Sequence, residues 1–147
     1  MNKNQLKTLV IIPELKSMGL YSKEAAELIT MIISHESMQG EFLKQVRGPA
    51  LGLSQMEPFT HESVVDYVRT RRPDLAGYML REYGHFDRNK LVYNLRYMVA
   101  MTRLFFVRFP EPIPKTTHEQ ADYAKRRWNT EQGKATAEDY RAAYVDW

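Results

Sequence analysis

The chain has 147 residues, 44% hydrophobic and 27% charged, with a formal net charge of +3. That is long enough for one domain with its own core, has the balance of an ordinary globular protein, and excludes a low-hydrophobicity disordered chain. With no cysteine, a disulfide framework and thiolate chemistry are excluded too. No stretch approaches the ~20 apolar residues of a membrane span. The N-terminal apolar run, Leu9 to Ile12, is too short for a secretory signal and lacks a small-residue cleavage site. The mild basic excess suits an anionic partner.

The punctuation divides residues 1–147 into helices of one domain. Asn4 to Met18 reads as helix, interrupted at Pro13 and stopped at Gly19. Ser22 is an N-cap for a helix from Lys23 to about Met38, with Ala25, Leu28, Ile29, Ile32 and Ile33 on its core face. A loop with Gly40, Gly48, Pro49 and Gly52 follows. Pro58 and Thr60 announce a helix to about Thr70, and Pro73 opens another that ends near Gly84. Asp87 is placed to cap a long helix from Arg88 to about Val107, with Leu91, Leu95, Met98, Val99, Thr102 and Phe106 as its buried stripe. The prolines of Phe109 to Thr116 deny a helix there. Thr117-His118-Glu119-Gln120 reads as a capping box for a helix to about Arg127, and Thr136-Ala137-Glu138-Asp139 as another for the C-terminal helix. The expected class is mainly α, with at most a small β-hairpin near residues 50–56.

Chemistry concentrates between Ile33 and Thr60. Glu36 follows Ile32, Ile29 and Leu28 at offsets that put it on the core face of its helix. Partial burial raises a carboxyl's pKa, and the negative end of the helix dipole pushes the same way. A Glu kept protonated near neutral pH can act as a general acid. Spacing alone favours the plainer reading, a buried Glu bonded to backbone or to an Arg. Two further carboxylates, Glu41 and Glu57, lie close in sequence. Each has a structural explanation, as a solvated loop charge and as a charge at a helix N-terminus.

Gly52-Leu53-Ser54-Gln55-Met56-Glu57-Pro58 resembles the G-L-M-Q-x-x-P segment of the soluble lytic transglycosylases and goose-type lysozymes. Glu36-Ser37 precedes Gly52 by sixteen residues, close to the spacing of the Glu-Ser pair in that family. Asn94-Leu95-Arg96-Tyr97-Met98 resembles the family's N-I-x-x-G-x-x-Y-L helix without its glycine. Trp128-Asn129 with Gly133 resembles its Y-N-A-G-x-G stretch, with Trp in place of Tyr. The clear match covers about residues 28 to 62. Ser54 stands where Met is usual, and Gly48-Pro49-Ala50-Leu51 is longer than the usual loop.

The resemblance implies a lysozyme-like fold that cleaves peptidoglycan between N-acetylmuramic acid and N-acetylglucosamine. Glu36 would be its catalytic acid and base. Ser37, Gln55, Met56, Tyr97, Trp128 and Asn129 would be the substrate-binding candidates. Glycosidases commonly use two carboxylates, so Glu57 and Glu41 are the candidates for a second. If neither serves, the substrate's N-acetyl group supports the cation and the 6-hydroxyl attacks, giving a 1,6-anhydro product. No cofactor is needed. His35 and His61 make a poor metal site, so no metal is expected. The partners would be glycan strands and other virion proteins, with no specific nucleic acid. Lack of a signal peptide suits a bacteriophage endolysin or virion-associated protein, in the host cytoplasm or the virion. The alternatives are a non-catalytic virion or wall-binding protein of the same fold, and a helical nucleic-acid binder. For the last, Thr60 to Leu80 lacks a persuasive helix-turn-helix.

Overall fold

At the centre of the fold lies a helix with almost no polar side. The computed structural model describes residues 1–147, and in it Leu95–Val107 (α6) buries Tyr97, Met98, Val99, Ala100, Met101, Thr102, Leu104, Phe105 and Phe106. A helix apolar on every face must be surrounded. Around it pack α1 (residues 3–18), α2 (Lys23–Glu36), α3 (Pro58–Arg71) and the short α5 (Lys90–Tyr93). Helix α4 (Pro73–Tyr83) lies against α3, and α7 (residues 117–129) and α8 (Ala137–Asp146) close over α2. The buried apolar side chains form one contiguous core. Strand structure is confined to isolated antiparallel bridges, Lys44 to Leu51 and Leu51 to Met56. The mainly helical reading and its limit of a small hairpin both hold. No helix is long and apolar enough to cross a membrane.

The long helix expected from Arg88 to Val107 is two helices. Asn94 breaks it with extended angles, φ −115° and ψ 100°. Its side-chain oxygen accepts the Tyr97 N–H at 3.0 Å and caps α6. Asp87 instead accepts the Asn89 N–H at 2.8 Å, ahead of α5. The break is where the glycine loop docks. A Cβ on Gly52 would lie 2.4 Å from the Leu91 carbonyl oxygen, and Gly52 has φ +78°, so both space and backbone demand glycine.

Three smaller boundaries also move. Helix α1 runs through Pro13 because Lys7–Ile11 is a π-helical turn, with the Ile12 N–H bonded to the Lys7 carbonyl. That wider turn relieves the clash a proline ring makes with the carbonyl before it. Helix α2 stops at Glu36, since Met38 and Gln39 adopt φ 50° and 62°. Helix α7 is capped not by Thr117 but by Thr116, whose hydroxyl accepts the Glu119 N–H at 3.2 Å. The Ser22 cap and the Thr136–Asp139 capping box form as expected.

Glu14 pins α1 to α4 and α6. Its carboxylate is fully buried and accepts the Tyr78 hydroxyl at 2.7 Å, the Arg96 Nε at 2.9 Å and the Tyr83 hydroxyl. Glu14→Ala would strand the Tyr83 hydroxyl, while Arg96 is half exposed and Tyr78 keeps Ser17 as a partner, so the loss should be about 1 to 3 kcal/mol. The urea midpoint should fall accordingly with an unchanged slope.

Candidate active site

Glu36 is the last residue of α2, held there by the buried side chains of Leu28, Ile29, Ile32 and Ile33. The next residue turns the chain out of the helix. The Ser37 hydroxyl donates to the Ile33 carbonyl at 2.8 Å and accepts the Gly40 N–H at 3.1 Å. Helix α8 comes over the top, and the buried Tyr140 donates its hydroxyl to Glu36 Oε2 at 3.1 Å. Burial pushes the Glu36 carboxyl up to about 7, against the opposing pull of the Tyr140 hydrogen bond. Burial and the nearby Glu36 charge push the Tyr140 hydroxyl above the usual tyrosine range, so it is a donor at any working pH.

A cavity of about 410 Å³ opens beside Glu36, with Gln55, Met56, Glu57, Arg127, Trp128 and Asn129 on its walls. Gln55 sits in left-handed backbone, φ 57°, which a non-glycine residue adopts at a cost. Its side-chain Nε2 donates to the Gly52 carbonyl at 2.9 Å. Its amide oxygen is thus left as an acceptor, and no hydrogen bond joins Gln55 to Glu36. Trp128 donates its indole N–H to the Ser54 carbonyl at 3.2 Å and packs on Phe105 and Phe106. It therefore ties the 51–56 loop to α7 as well as lining the cavity. Ser54 is buried, and its hydroxyl bonds that of Thr102 at 2.9 Å. A larger side chain would have to displace that contact. Asn129 accepts Lys125 Nζ at 2.7 Å, and its Oδ1 would be 2.1 Å from a Cβ on Gly133, so Gly133 makes room for it.

The end of α7 is a π-helix, Ala124–Asn129. Its wider turn carries the consecutive residues Arg127, Trp128 and Asn129 to the cavity wall. Arg127 is held there by Glu111, Nη2 to Oε1 at 2.6 Å, and by the Phe109 ring at 4.3 Å.

The structure gathers Glu36, Gln55, Met56, Glu57, Trp128 and Asn129 and leaves out the rest. Ser37 is buried in its turn. Tyr97 is buried in α6 and bonded to His61 Nε2 at 2.7 Å, so it cannot stack on a ligand. Glu41 lines a different surface pocket with His35 and Met38. Of the two further carboxylates, only Glu57 shares the cavity. No group of three or more His, Asp or Glu side chains is placed to hold a metal ion. Sequence reading missed Tyr140, and Lys125-Arg126-Arg127 reads there only as a short basic cluster, either a solvated face or a patch for an anionic wall polymer. The Tyr140–Glu36 contact spans 104 residues and leaves no local signal.

Two measurements check these electrostatics. Tyr140→Phe removes the only hydrogen bond to the Glu36 carboxylate, so the Glu36 pKa should rise above about 7, read by carboxyl-carbon NMR titration. The second is a stability profile. Glu36 titrates near 4.5 when unfolded and about 7 when folded, so folding takes up a proton between those values. The stability it contributes is present below pH 4.5 and lost as pH rises through 7. Glu36→Gln cannot ionise, so it should stabilise the protein by on the order of 2 kcal/mol near pH 8, with the gain vanishing in acid. Comparisons with protein-family models, curated proteins and solved structures return no match to this chain.

Proposed function

We propose that this protein cleaves peptidoglycan glycan strands, between N-acetylmuramic acid and N-acetylglucosamine, with Glu36 as general acid and then base. The observation that carries the reading is a single half-buried carboxyl, titrating near 7, on the wall of a cavity otherwise lined mostly by polar groups. A glycosidic oxygen leaves poorly as an alkoxide, so bond breaking needs a proton delivered as the charge develops. Glu36 holds that proton at neutral pH and has one donor to steady the carboxylate left behind. The positive charge then on the sugar is quenched by a hydroxyl, whose proton Glu36 takes back. If that hydroxyl is the sugar's own 6-OH, the product is anhydro-muramic acid and Glu36 suffices. If it is water, Glu57, the other carboxylate in the same cavity, is available to take that proton in place of Glu36. Gln55 and Asn129 offer amide groups to hydroxyl and N-acetyl substituents, and Trp128 an aromatic surface for a sugar ring. The same proposal sets the activity in bacteriophage lysis or entry.

General acid–base catalysis is typically worth about 10² to 10⁴ in rate. Glu36→Gln should therefore lower turnover of purified walls at least about a hundredfold, while Glu57→Gln costs much less if the 6-hydroxyl attacks. Turnover should fall as pH rises past 7, with the loss of the Glu36 proton. Mass spectrometry of the digest separates anhydro from reducing ends. Equal cleavage by Glu36→Gln and wild type would overturn the assignment. A wild type that binds walls and cleaves none would replace it with the non-catalytic reading.

A further inference from the structure

A second groove, of about 330 Å³, lies along α3, lined among others by His61, Glu62, Asp66, Arg69, Phe86 and Arg88. Glu62, Asp66 and Arg69 rise from one face of α3, and Phe86 and Arg88 come from the loop before α5. Both charge signs face this groove, yet none of its carboxylates lies within ion-pairing distance of either arginine or of any other cation. Elsewhere the exposed arginines Arg72 and Arg141 do find carboxylate partners. What holds Arg69 is an aromatic face, its guanidinium 5.3 Å from the centre of the Phe86 ring. A guanidinium spread on a ring keeps its N–H edge free.

The floor is His61. It is 5% exposed, and Nε2 is engaged by the Tyr97 hydroxyl, which itself accepts the Asp87 N–H at 3.3 Å. Burial keeps the imidazole neutral, its pKa lowered to about 4. The buried Tyr97 hydroxyl has no acceptor other than Nε2 for its proton, which assigns the ring proton to Nδ1. That nitrogen has no partner in the protein and is not a buried orphan, so it opens to the groove. The groove therefore offers two cations, a fixed N–H donor, two carboxylates and an aromatic edge. A ligand carrying both an ammonium and a carboxylate satisfies both signs at once.

We propose that this groove binds a zwitterionic peptide segment, and that its occupant is the stem peptide carried by the muramic acid of the strand held in the Glu36 cavity. The occupant, though not the zwitterionic chemistry, rests on the proposed glycan-cleaving function. The two sites flank one turn of one helix. Glu57 and Thr60 line the cavity, and Pro58 and His61 line the groove. A helix is about 10 Å across, so a peptide leaving a sugar in the cavity must extend about three residues, at roughly 3.5 Å each, to reach the groove. Arg69 and Arg88 take the peptide carboxylates, and Glu62 and Asp66 its side-chain ammonium.

The test has two arms. In the first, a synthetic stem peptide, L-alanyl-D-isoglutamyl-diaminopimelyl-D-alanine, is titrated into the 15N-labelled protein. Amide shifts should appear at residues 61–69 and 86–88. Affinity should drop at least about tenfold in the Arg69→Gln, Arg88→Gln double variant, and a peptide with amidated carboxylates and acetylated amines should not bind. In the second, the double variant should raise KM on peptide-bearing strands and leave turnover of peptide-stripped strands unchanged. No shifts with millimolar peptide, shifts the double variant does not weaken, or an equal KM change on both substrates would overturn the groove assignment while leaving the Glu36 assignment standing. Peptide binding at the groove by a protein that cleaves no wall would do the reverse: the zwitterion site stands and the glycosidase reading falls.

Discussion

A carboxyl can hold its proton at neutral pH only if the protein keeps water and donors away from it. Much of this architecture serves that constraint at Glu36. The apolar face of α2 brings the residue to the end of a buried helix, and α8 lays Tyr140 across it. The 51–56 loop, pinned by Gly52 under Leu91 and by Trp128 on Ser54, forms the opposite wall. Glu14 has a different set of partners in the same chain. It is more deeply buried than Glu36, but three donors converge on it where Glu36 has one. The first carboxyl ties three elements together, while the second meets one donor at the edge of a cavity.

The two π-helical segments answer separate problems. In α1 the wide turn absorbs a proline and lets the helix continue across the core. In α7 it changes which side chains face inward, so that neighbours in sequence become neighbours on one wall.

Helix caps and apolar stripes were legible in the sequence because they are local. Ser22 and the Thr136–Asp139 box form as read, and the α2 stripe is buried residue for residue. The break at Asn94 was not legible. Leu91, Leu95 and Met98 keep helical spacing through it, so periodicity passes over a cap made by a side chain and a docking loop. Tyr97 was drawn toward the site by its place in a resembling helix, but its hydroxyl is spent on His61. The Glu36–Gln55 wall could be read from one stretch of chain. Tyr140 could not, because contacts between helices at opposite ends of the sequence leave no pattern in either.

That separation has a consequence for how the site comes into being. The Tyr140–Glu36 hydrogen bond closes a loop of 104 residues, among the most costly closures in entropy that this chain makes. Local helices and the α5–α6 pair form over short separations, and long-range docking follows them. Until α8 docks, Glu36 faces water and behaves as an ordinary glutamate, ionised and without a proton to give. Any opening that lifts α8 from α2 returns it toward that state and uncovers the part of the core to which Tyr140 belongs. The protonation of one side chain thus reports whether the two ends of the chain have met.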